Sequence, residues 1–169
     1  MDFIFNYISV DTFWRTLLFV HFLLAVALLA AVTLQAFAVL MPARQTAGAA
    51  GTLVDRLRPV PASSFVVPIV LIYIPNFLLG SWIYLKYRTY VRIPMEQLGH
   101  WWTLGAFEFK EHVVTFGLAL LPAYWYFWRK PEGEDHAATR RWLTVFLAFA
   151  VWYAFLSGHV ANDFRGVGS

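Results

Sequence analysis

The sequence predicts an all-α integral membrane protein, a four-transmembrane-helix bundle preceded by a short N-terminal interfacial segment. Three observations carry that prediction. Of 169 residues, 60% are hydrophobic and 14% charged, with a mean hydropathy of +0.58, outside the range of an ordinary soluble domain. Four apolar runs, at about 14–40, 64–85, 102–128 and 142–160, lie near or above the roughly 20 residues that a helix needs to cross the hydrocarbon. The segments between them are too short for a separate soluble module, so residues 1–169 read as a single transmembrane domain.

The opening "MDFIFNYISVDTFW" lacks the positive n-region of a cleaved signal, carries Asp2 and Asp11, and leads into a run too long for an h-region. It reads as an amphipathic interfacial segment followed by a retained span. The second run is interrupted by Pro68, Pro75 and Gly80, which predicts a bent helix whose freed backbone groups are met by a neighbour or by Asn76. Between the second and third runs, "KYRTYVRIPMEQLGH" reads as a short loop with Tyr87, Tyr90 and Trp101 suited to an interfacial belt. The other two connections are Gly/Pro/Ala-rich ("MPARQTAGAAGTLVDRLRPVPASS") and charged ("RKPEGEDHAATRR").

Four crossings put both termini on one side. The first and third loops carry seven of the thirteen Lys and Arg residues, which places the termini on the outer (periplasmic) face. The net charge of +3 is met by lipid headgroups and gives no argument for nucleic acid. Cysteine is absent, which excludes disulfides, iron–sulfur clusters, thiolate haem ligands and cysteine nucleophiles; metal chemistry must use His, Asp, Glu or Met.

Chain alternation brings the start of the first span, the start of the third and the end of the fourth to the same membrane face, and His21, His112 and His159 all lie there. At about 1.5 Å per residue, His21 is about 10 Å below Trp14 and His112 about 15 Å below Trp102. In "GAFEFKEHVV", Glu108, Glu111, His112 and Thr115 share one helical face while Lys110 falls on the opposite side. The stripe through His21 runs Leu17, Ala25, Leu28, Val32 and Gln35, with Ala25 leaving room beside the imidazole; His159 shares a face with Trp152, Phe155, Asn162 and Asp163. His100 and His136 fall in loops. Ionisable groups inside a span are expensive and usually face the bundle interior.

These residues predict a small haem-b-binding subunit that transfers electrons between a quinone or other membrane subunits of a larger redox complex. Two neutral imidazoles at one depth supply axial ligands, His21 with His112 first and His159 as substitute, and an aromatic, Ala- and Gly-bearing interior encloses a flat macrocycle. Because the candidates lie on one side, a single bis-histidine haem is expected. In span count, size and intramembrane histidines the chain resembles the four-helix cytochrome b membrane anchors of respiratory enzymes, a resemblance that carries over no individual residue. One alternative is a Cu, Fe or Zn ion held by His21, His112 and His159 with one or both of Glu108 and Glu111. Another is a non-catalytic accessory subunit whose polar residues lock helix packing.

Overall fold

A computed structural model describes residues 9–41, 60–129 and 136–167; for 161–167 it describes the helix but not the side chains. The expected interfacial segment and most of the first and third loops lie outside the described residues, as do the side chains of Asn162 and Asp163. Among the described residues every regular element is helical: α1 (Val10–Leu40), α2 (Val66–Tyr87), α3 (Ile93–Gln97), α4 (Trp101–Arg129) and α5 (Ala137–Val167). Three of the four long helices cover their apolar runs and extend beyond them, and α2 begins two residues into the second run.

Each boundary has a local cause. Ser9 caps α1 in an extended conformation, its Oγ accepting from the Thr12 N–H at 3.1 Å, and Asp11 in the first turn pairs with Arg15 at 2.8 Å. A 3-10 turn, Ala62–Phe65, leads into α2. Pro68 lies in the first turn of α2, where its missing N–H has no intrahelical partner to lose, while Pro75 sits in the interior.

The expected loop after α2 is instead helical as far as Gln97. The chain continues through a five-residue π turn, Arg88–Arg92, into α3. Pro94 explains the change of pitch: it cannot donate to the Tyr90 carbonyl, and the helix widens just before the missing bond. Gly99, at φ 75°, then ends α3 in a Schellman motif, with Gly99 N–H bonded to the Glu96 carbonyl at 3.1 Å and His100 N–H to that of Met95 at 3.0 Å.

The long helices pack as α1 against α2 and α5, and α4 against α5 and, more lightly, α2. Their core comprises Leu28 and Val32 of α1, Ile69 and Tyr73 of α2, Leu121 and Tyr124 of α4, and Leu147 and Val151 of α5. Polar ties close this end. The Tyr124 hydroxyl donates to Gln35 Oε1 at 2.6 Å, and Gln35 Nε2 donates to the Ala62 carbonyl at 3.0 Å; both side chains are essentially unexposed. Trp128 and Trp152 donate to Thr144 and Thr33 at 3.2 and 3.0 Å, joining α4 to α5 and α5 to α1. The outward faces carry large apolar side chains such as Phe19, Leu71, Phe116 and Trp142, as a surface against acyl chains requires.

Three helical stretches, Val10–Leu40, Ala62–Gln97 and Ala137–Val160, are long and apolar enough to cross a membrane, and by length and composition the chain is an integral membrane protein. The expected fourth span, α4, is not among them: within one turn and a half it carries Glu108, Lys110, Glu111 and His112.

Candidate functional site

Opposite the closed end, the helices enclose a cavity of about 560 Å³. It is reached between the start of α1, the end of α2, the start of α4 and the end of α5, the face to which alternation assigns the three histidines. Its walls are mostly apolar and rich in aromatic rings. Tyr87 of α2 stacks on Phe107 of α4 with centroids 3.9 Å apart, Tyr84 flanks the pair, and Phe22 and Phe155 meet at 6.2 Å across α1 and α5.

His21 lies on the α1 wall with Ala25 one turn along, and the buried Leu28, Val32 and Gln35 continue the same stripe toward the closed end. Its ring rests on α2 where that helix has no side chain: a Cβ on Gly80 would stand 3.1 Å from His21 Cε1 and 3.6 Å from Nε2. Asn76, one turn before Gly80 and thus on the same face of α2, is the imidazole's polar neighbour. Even so, His21 Nδ1 and Asn76 Oδ1 are both sealed from solvent without a hydrogen-bond partner.

On α4 the cavity wall is Phe107, Lys110, Glu111 and Val114, and this corrects the expected helical phase. Lys110 does not point away. Its ammonium pairs with Glu111 Oε1 at 2.9 Å and sits 3.5 Å from the centre of the Phe107 ring, with the side chain only 15% exposed. Glu108 is turned out of the cavity toward Arg92 Nη2 at 3.1 Å, and Arg92 also holds Glu96 at 2.8 Å. His112 is exposed on the outer face, its Nδ1 2.8 Å from the Glu108 carbonyl one turn back. The face is set by apolar residues at helical spacing, Leu104, Phe107, Gly117, Leu121 and Tyr124, whose burial leaves His112 outside.

His159 of α5 lines the cavity at its exposed edge. Of the five expected site residues, His21, His159 and Glu111 therefore share the cavity, while His112 and Glu108 do not line it. His100 and His136 lie outside it as well. Among the described residues, no group of three or more His, Asp or Glu side chains is gathered closely enough to hold a metal ion.

Tyr73 forms part of the cavity's inner end. Its hydroxyl donates to the Val114 carbonyl at 2.8 Å and occupies the space left by Gly117, where a Cβ would collide with it. At the mouth, Lys86 lies over the rings of Trp14 and Tyr90 at 5.5 and 6.0 Å, and Arg15 is held by Asp11. Sequence reasoning missed Lys110 and the roles of Asn76 and Gly80; an Asn four residues before a Gly in an apolar helix was the available signal. Compared with known protein families, curated proteins and solved structures, the chain matches none of them.

Proposed function

We propose that the chain is a four-span membrane subunit that binds one haem b in this cavity and transfers electrons between a quinone, or another redox subunit, and a partner. α4 is the fourth span: its Lys110–Glu111 pair faces the interior rather than acyl chains. The termini lie on the outer face, from the distribution of Lys and Arg. The observation that carries the reading is an imidazole, His21, on the wall of an aromatic-lined cavity of about 560 Å³, within the 300–1,000 Å³ of cofactor-sized pockets.

His21 would hold the iron, and His159, which lines the same cavity, replaces His112 as the candidate second ligand. Lys86 and Arg15 at the mouth suit the carboxylates of the macrocycle, and the Tyr84, Tyr87 and Phe107 stack suits its faces. When bound, haem would supply one-electron chemistry; the protein supplies the candidate ligand, the largely apolar walls and the neighbouring charges.

The accessory-subunit alternative draws on a different observation: Lys110 and Glu111 already neutralise one another, and the Gln35–Tyr124 tie is a finished helix lock. Haem titration of purified protein separates the two. Under the haem proposal, wild type and His112→Ala bind one equivalent, while His159→Ala binds with an altered, high-spin spectrum. Uptake lost in His112→Ala but kept in His159→Ala would overturn the ligand assignment, and no saturable uptake by wild type would leave the accessory subunit.

A further inference from the structure

We infer that Asn76 is the positioning residue for His21: its side-chain carbonyl accepts the Nδ1–H of the imidazole and so turns Nε2 toward the cavity. For its functional meaning this rests on the haem reading. The geometry itself does not.

Among the described residues, the buried side-chain polar atoms without a partner are His21 Nδ1 and Asn76 Oδ1, and they belong to neighbouring residues. Buried polar groups are as a rule hydrogen-bonded, so each orphan calls for an explanation. Both atoms are sealed from solvent, and Asn76 is the uncharged polar residue that faces the imidazole. Asn76 Oδ1 can only accept, which requires the imidazole to carry its proton on Nδ1. That tautomer leaves the Nε2 lone pair as the nitrogen able to bind a metal.

The backbone of α2 fixes this arrangement. Asn76 and Gly80 are four residues apart on one helical face, so the helix presents an acceptor to the ring's edge and a gap to its body. A side chain at Gly80 would stand 3.1 Å from Cε1, so that the ring would have to yield. The charged groups facing the imidazole from α4, Lys110 and Glu111, are paired with each other. Asn76 is thus the partner left to set the tautomer.

The test is histidine-selective ¹⁵N labelling of the full chain in micelles without cofactor, with the His21 signals assigned by their loss in His21→Gln. Wild type should show the Nδ1–H tautomer. Asn76→Leu should abolish that preference, and Asn76→Asp, which keeps an acceptor at the same reach, should retain it. An Nε2–H tautomer in wild type, or a tautomer indifferent to Asn76→Leu, overturns the inference, and Asn76→Ala makes the same comparison if the leucine variant does not fold.

Haem-loaded protein gives a second readout. Asn76→Leu should weaken haem retention about 10–100-fold, with Asn76→Asp retaining it. A protein that takes up no haem but shows the Asn76-dependent tautomer refutes the proposed function and leaves the positioning role standing.

Discussion

Replacing Tyr124 and Gln35 separately and together tests the closed end of the fold. The Tyr124 hydroxyl donates to Gln35 Oε1 at 2.6 Å, where Tyr124 is 0% and Gln35 1% exposed. Tyr124→Phe removes the donor and strands Oε1, while Gln35 Nε2 keeps its bond to Ala62. Gln35→Leu strands the tyrosine hydroxyl instead. In water-soluble proteins a stranded buried group costs about 1–3 kcal/mol. Between membrane helices measured couplings average about 0.6 and reach about 1.7 kcal/mol. With both partners unexposed and the bond short, we expect each single variant to lose about 1–1.5 kcal/mol, in the upper part of that membrane range.

The double variant strands neither group. Leucine is close to glutamine in volume, and the Ala62 carbonyl, which can also accept from backbone, tolerates the loss of one donor. It should therefore be more stable than either single variant, recovering about 1 kcal/mol. The assay is reversible unfolding of the three proteins in mixed micelles, followed by far-UV dichroism. Additive losses in the double variant would refute the claim that this bond, rather than the shape of the two side chains, holds α1 to α4.

Three further expectations follow from single contacts. Gly80→Ala brings a methyl 3.1 Å from His21 Cε1, and the ring must yield by a few tenths of an ångström. Helix propensity favours alanine by about 1 kcal/mol, so the unfolding midpoint should hold or rise while haem retention falls; a fall in both would mean that the ring cannot move. Gly117→Ala collides with the Tyr73 hydroxyl and should cost about 1–3 kcal/mol, with partial rescue by adding Tyr73→Phe; wild-type stability of the single variant would contradict the contact. Glu108→Gln breaks a half-exposed pair with Arg92 and should cost under about 1 kcal/mol with cofactor retention unchanged, whereas Lys110→Met leaves Glu111 uncompensated at the cavity wall and should reduce retention. The reverse ranking in a retention assay would return α4 to the phase in which Glu108 faces inward.

Apolar periodicity made the helices legible, and on α1 it also fixed the phase, because Leu28, Val32 and Gln35 fall on one stripe and all are buried. On α4 the same rule holds for Leu104, Phe107, Gly117, Leu121 and Tyr124, whereas the acidic and histidine residues, which suggest another phase, lie on flanking faces. A phase read from those residues turns Lys110 outward and His112 inward, the reverse of their positions in the fold. The helical continuation to Gln97 was hidden by the tyrosines and charges of "KYRTYVRIPMEQLGH", which suit a loop equally well; only the π turn accommodates Pro94 there. Asn76 and Gly80 were visible as interruptions of an apolar run. Their meaning depends on which residue of α1 lies opposite, and helical periodicity within one chain segment does not contain that pairing.

The central claim is that His21 in the cavity of about 560 Å³ is an iron ligand. It is tested most directly by the dithionite-reduced minus oxidised visible spectrum of the protein purified in mild detergent under haem-replete conditions, wild type beside His21→Ala. Wild type should show the sharp bands of low-spin haem b, and His21→Ala should lose them at matched expression. A colourless wild type, or a haem spectrum that survives His21→Ala unchanged, would contradict it.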